Sequence, residues 1–132
     1  MRSIAVINQK GGVGKTTTTV NVAAALAESG QRVLVIDMDP QAHATLHMGM
    51  ELAPGELSIY EVLCGKSSLE DATRKIETNL SCAGSHIDLA AAEMELSNVD
   101  GRDLILRNRL EEVSEDYDYV IIDCPPSLGV LT

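Results

Sequence analysis

A chain of 132 residues, 45% of them hydrophobic, has the size of one compact domain and too little length for two. Aromatic residues make up 2%, all of them Tyr, so the core has to be built from Val, Ile, Leu, Ala and Met, a mixture usual for parallel strands covered by helices on both faces. Ten basic residues against twenty acidic ones give a formal charge of -10, so the surface as a whole repels phosphate backbones, and any nucleic-acid contact has to come from elsewhere.

The first element expected is a strand over Arg2 to Asn8, because Ile4-Ala5-Val6-Ile7 is short, apolar and followed by glycines. From Gly14 to Ser29 the composition turns to Thr and then to Ala-rich apolar residues, with Gly30 as a C-cap, which predicts a helix. Arg32-Val33-Leu34-Val35-Ile36-Asp37 follows as a second buried strand, and strand, loop, helix and strand in this order make a right-handed parallel βαβ unit. Ser58 to Cys64 and Ser67 to Ile76 predict two short helices, each opened by a Ser able to cap it. Ile87-Asp88-Leu89-Ala90 is a third candidate strand, Asp103 to Glu115 has helical spacing of apolar residues, and Asp118 to Asp123 is a further strand ended by Cys124-Pro125-Pro126.

Cys64, Cys82 and Cys124 form no CxxC pair and follow no secretory leader, so they are expected to be reduced cytosolic core residues. No apolar run reaches the roughly 18 residues of a membrane span. His43 and His47 stand four apart, but no Cys or third His lies nearby in sequence, which favours surface or loop histidines over a metal site.

The segment Lys10-Gly11-Gly12-Val13-Gly14-Lys15-Thr16-Thr17 falls where a buried strand meets a helix. Glycines there let the backbone curl until successive amides converge on an anion, and the helix N-terminus adds positive potential, so phosphate is the natural occupant. Lys15 is expected on the β- and γ-phosphates and the Thr16 hydroxyl on Mg²⁺. Two apolar strands further along end in acids, Ile36-Asp37-Met38-Asp39 and Val120-Ile121-Ile122-Asp123.

The generic Walker A pattern needs Gly where this chain has Gln9. Lys10-Gly11-Gly12 directly before Val13-Gly14-Lys15-Thr16 is instead the deviant Walker A form, and it resembles the ParA, MinD and nitrogenase iron protein superfamily of P-loop ATPases. Within that superfamily Asp39-Pro40-Gln41-Ala42-His43-Ala44-Thr45 is similar to the DPQ-x-x-x-T stretch of the ParA/Soj partition ATPases, and Tyr117 to Gly129 looks like their Walker B neighbourhood. The three cysteines do not sit in the glycine-rich loops that an iron protein's cluster needs.

The resemblance implies a three-layer α/β P-loop NTPase fold with a mostly parallel sheet and its ligand at the carboxyl ends of the strands. It implies slow hydrolysis of ATP with Mg²⁺ as cofactor. Lys10 would reach the phosphates of the partner subunit in a nucleotide-sandwich homodimer, Asp39 would orient the attacking water and meet Mg²⁺ through water, and Asp123 would hold a water of the Mg²⁺ shell. Asp37 would either support that shell or hydrogen-bond loop amides, and Thr17 would either bind the α-phosphate, as the resemblance favours, or begin the helix. Partners implied are a ParB-like protein and nonspecific DNA, with a cytoplasmic, nucleoid-associated location, no membrane, and a role in chromosome or plasmid partition. Residues 1–132 are then expected to be the N-terminal part of one such domain, stopping after Walker B with the C-terminal half absent. One alternative is a nucleotide-gated interaction module without turnover, which intact Lys10, Lys15, Thr16, Asp39 and Asp123 oppose. The other is a MinD-like membrane-associated ATPase, which requires a C-terminal amphipathic helix.

Overall fold

The computed structural model describes residues 2–7, 13–38, 42–50, 52, 56–85 and 105–124. In chain order these form β1 (Arg2–Ile7), α1 (Val13–Glu28), β2 (Val33–Asp37), α2 (His43–His47), α3 (Ile59–Leu63), α4 (Leu69–Ala72), β3 (Thr73–Glu77), β4 (Leu80–Ala83), α5 (Ile105–Glu111) and β5 (Tyr119–Cys124). The strands lie in one sheet in the order β1-β5-β2-β4-β3. β1, β5, β2 and β4 are mutually parallel, and β3 pairs antiparallel with β4.

Every residue of β2 is fully buried apart from contact with its neighbours, as its unbroken apolar run predicts for a strand covered on both faces. Side chains alternate across a strand, and the core divides accordingly. Leu34 and Ile36 pack with Val120 against Ile59, Val62, Leu69 and Leu110 of α3, α4 and α5. Val33 and Val35 pack with Ile121 against Ala23 and Ala27 of α1, joined by Met48 and Met50. The sheet is thus the middle of three layers, the α/β architecture expected. No helix among the described residues is long and apolar enough to cross a membrane.

α1 stops where the sequence predicts. Gly30 has φ +94, and the amides of Gly30 and Gln31 return to the carbonyls of Ala27 and Leu26 at 3.1 Å, closing the last turn. α3 also matches, with a complete capping box in which Ser58 Oγ accepts from the Tyr60 amide and Glu61 reaches back to the Ser58 amide at 2.7 Å.

The helix expected over Ser67 to Ile76 is corrected. Only Leu69–Ala72 is helical, capped by Ser68 rather than Ser67, and Thr73 turns extended at φ -90, ψ 136. Thr73–Glu77 becomes β3 because it finds a partner: Thr73 lies opposite Ala83 and Arg74 opposite Cys82 across a turn in which Asn79 sits at φ 66. β4, which the sequence reading does not anticipate, pairs on its other side with β2, Val35 opposite Cys82. The β-branched Thr73 and Ile76 suit a pleated edge, and inter-strand pairing overrides the weak helical pattern. The candidate strand over 87–90 lies outside the described residues, as do Asp103 and Leu104 of the later helix.

At the amino ends of the parallel strands a polar clip joins three elements. Arg32 donates to the Asp118 carboxylate from its main-chain N, Nε and Nη2 at 2.8, 3.3 and 3.1 Å. The Asp118 amide returns to Arg32 O at 2.8 Å, and the Arg2 amide reaches Asp118 O at 3.0 Å.

Candidate functional site

The opposite, carboxyl ends of β2 and β5 carry Asp37 and Asp123, two of the acidic residues singled out in the sequence. Asp37 and Asp123 are register partners on adjacent parallel strands, and Val6 of β1 lies opposite Asp123 on its other side. Both aspartates are completely buried. The main chain of β5 also holds the exit from β2, because the Met38 amide donates to Asp123 O at 2.9 Å.

α1 begins six residues after β1 ends, so its N-terminus lies at this same end of the sheet. Val13, Gly14, Lys15 and Thr16 make up its first turn, with Thr17 next, and that turn contains no acidic residue. The unpaired amides and positive dipole end of such a turn attract an anion. Thr17 is exposed there. Lys10, Gly11, Gly12 and Asp39 lie outside the described residues, as do the side chains of Val13, Lys15 and Thr16.

The carboxylate of Asp37 answers one question left open by the sequence. Its Oδ2 accepts from the Thr45 amide at 2.9 Å and from Thr45 Oγ1 at 2.6 Å. Among the described residues, Asp37 thus bonds an amide and a hydroxyl of α2 rather than loop amides. The Thr45 hydroxyl in turn accepts from the Ser85 amide at 2.9 Å. Close by, burial first and the Asp37 charge second push the Cys82 thiol up to about 12, so it remains protonated and inert.

Two buried carboxylates side by side repel each other unless positive charge stands near them. A cation that keeps most of its water and takes only one or two carboxylates, as Mg²⁺ does, fits this donor set. Among the described residues no group of three or more His, Cys, Asp or Glu is gathered as a metal cage, and His47 is exposed on α2. An anion at the start of α1 beside a hydrated cation at Asp37 and Asp123 is the pair of charges that a Mg²⁺-bound polyphosphate presents.

Sequence reasoning did not single out Thr45 or Ser85 as working residues. Thr45 had a signal, the final position of the DPQ-x-x-x-T stretch, but nothing in the spacing links it to Ser85, 40 residues away.

The AAA domain family model matches residues 1–132. Sporulation initiation inhibitor protein Soj of Bacillus subtilis is 48% identical over 130 residues, 98% of this chain and 51% of that protein. Chromosome partitioning protein ParA of Myxococcus xanthus is 45% identical over 132 residues, 99% of this chain and 47% of that one. The crystal structure of cobyrinic acid a,c-diamide synthase from Mycobacterium smegmatis with bound ATP analog and magnesium superposes with a TM-score of 0.94 at 44% identity, over 99% of this chain and 54% of that chain. The chain spans about half the length of the curated relatives it matches.

Proposed function

Since the chain belongs to the ParA/Soj family of partition ATPases, within the AAA domain family, we propose that it binds ATP with Mg²⁺ and hydrolyses it as a dimerisation switch in chromosome or plasmid partition. The observation that carries this reading is the pairing of buried Asp37 and Asp123 at the sheet end where the acid-free first turn of α1 begins. The likeness to a structure holding an ATP analog and magnesium supports the nucleotide part. The Soj and ParA relatives support the partition part.

In this reading the amides of Gly11, Gly12, Val13 and Gly14 cradle the phosphates, Lys15 neutralises the β- and γ-phosphates, and Thr17 meets the α-phosphate. The Thr16 hydroxyl would hold Mg²⁺, with Asp123 and Asp39 on waters of its shell and Asp37 beside Asp123. Mg²⁺, when bound, would supply charge neutralisation on the β- and γ-phosphates. Asp39 orients the attacking water, and Lys10 reaches the nucleotide of a second copy, so that nucleotide and homodimer form together. Rate enhancement then comes from positioning and electrostatic stabilisation, with no covalent intermediate. A ParB-like protein stimulates turnover, and nonspecific DNA is held by basic residues outside residues 1–132, placing the ATP-bound protein on the nucleoid in the cytoplasm.

The test is nucleotide binding and turnover with and without Mg²⁺ in three variants. Lys15→Ala is expected to lose ATP binding, Asp39→Ala to keep binding and lose turnover, and Lys10→Ala to lose the ATP-dependent dimer. Wild-type binding without turnover would make the protein a nucleotide-gated module instead. Unchanged ATP binding by Lys15→Ala would remove the P-loop assignment itself.

A further inference from the structure

We propose that Thr45 is a positioning residue for the hydrolytic step, fixing by its hydroxyl the carboxylate of Asp37 and the start of α2 at the end of the sheet where the site lies. The proposal rests on the ATPase reading above and assigns a task to a residue which that reading leaves unused.

The bonding at Thr45 leaves its hydroxyl no freedom. A carboxylate can only accept, so the Thr45 proton points to Asp37 Oδ2 at 2.6 Å, and an oxygen lone pair receives the Ser85 amide at 2.9 Å. The end of β2, the helix α2 and the exit of β4 are thereby tied at one oxygen, in a chain of bonds that polarise one another toward the buried charge. Both Asp37 and Thr45 are shielded from solvent, at 0% and 2% exposure, so water does not compete.

The ends of α2 show why the tie is needed. A helix of five residues does not hold itself. Its N-cap is Ala42, which has no side-chain oxygen to offer and makes no cap bond. The bond that a capping residue would give to the third helical amide, that of Thr45, comes instead from Asp37 on the strand. Ala42 also sits at φ 57, ψ 32, a left-handed conformation that a residue with a Cβ keeps only when its surroundings impose it. At the leading end, Met38 is bonded to Asp123 O. Met38 and Thr45 are thus both held by the two strands whose carboxylates line the site, one by its main chain and the other by its amide and hydroxyl.

Thr45→Val keeps the shape and removes both the donor and the acceptor, whereas Thr45→Ser keeps both. Turnover and equilibrium binding of MgATP, measured on the whole protein, separate positioning from binding. Thr45→Val is expected to lower kcat by about tenfold or more with the Kd for MgATP within about threefold of wild type, and Thr45→Ser to restore kcat. Hydrogen exchange of the amides in α2 is expected to quicken in Thr45→Val and not in Thr45→Ser. If Thr45→Val does not fold, Gly84→Ala serves in its place. A Cβ at Gly84 would stand 3.0 Å from Thr45 Cγ2, displacing the residue with its hydroxyl intact, and Thr45→Ser removes the atom it strikes. Gly84→Ala is then expected to lose kcat and the double variant to regain it. Wild-type kcat in Thr45→Val, or in Gly84→Ala, overturns the proposal alone. A wild-type protein that binds MgATP and turns none over refutes the ATPase reading beneath it.

Discussion

Gly84→Ala adds one methyl group at a place where three atoms already converge. The new Cβ would meet Thr45 Cγ2 at 3.0 Å, Leu52 Cδ1 at 3.1 Å and Met50 Cε at 3.2 Å. Comfortable carbon contacts begin near 3.5 Å, so the neighbours have to retreat by about 0.3 to 0.5 Å. The Met50 and Leu52 methyl groups are the free ends of rotatable side chains and can do so. Thr45 Cγ2 cannot rotate independently of Oγ1, which is bonded on both sides. The glycine cannot back away either, because its carbonyl holds the Ile59 amide at 2.9 Å. Overpacking of this kind costs about 1 to 3 kcal/mol, offset by about 0.4 to 1 kcal/mol for a stiffer unfolded chain. The midpoints of the two ranges leave a net loss of about 1.3 kcal/mol, within limits of about 0 and 2.6 kcal/mol. Thr45→Ser alone should cost about 0.8 kcal/mol for the buried methyl, and the new Cβ would refill that space in the double variant. Urea denaturation of the four proteins closes the cycle, with a coupling of about 1 kcal/mol expected. Wild-type stability in Gly84→Ala, or simple addition of the two single effects, would refute the packing argument.

Two further outcomes follow from the titrating groups. Cys82, buried with its thiol raised to about 12, should resist iodoacetamide at pH 8 in the native protein while half-buried Cys64 reacts, with the labels read by peptide mass spectrometry; equal rates at the two sites would show that β4 opens readily. The Asp118 carboxyl is held below its ordinary value, first by the hydrogen bond from the Arg32 side chain and then by that from the Arg32 amide. A depressed carboxylate contributes stability that is present above its unfolded pKa of about 3.9 and lost as pH falls through the folded value. The fall in Tm from pH 5 toward pH 2 should accordingly be shallower in Asp118→Asn than in wild type, and parallel curves would mean that the clip adds nothing.

A net charge of -10 makes the surface of residues 1–132 as a whole repel DNA. Within residues 1–132 the same excess of acid stays away from the first turn of α1, where an anion would have to come.

What the sequence determines here is local. The unbroken run Val33 to Asp37 specifies a strand buried on both faces, Gly30 stops α1, Ser58 and Glu61 box the start of α3, and the glycine and lysine spacing before Thr16 marks the turn proposed to bind phosphate. Each signal is contained within a few neighbouring residues, where backbone sterics and capping geometry act alone. The order β1-β5-β2-β4-β3 and the antiparallel β3 at its edge are of another kind, since Thr73–Glu77 becomes a strand only when Leu80–Ala83 is paired beside it and β4 is itself held by β2. The site divides in the same way. Asp37 and Asp123 can be read as acids at strand ends, but that they are register partners, and that Asp37 reaches Thr45 and through it Ser85, depends on strand neighbours chosen by the tertiary packing, because hydrogen bonds between residues 40 apart exist only once the sheet has assembled.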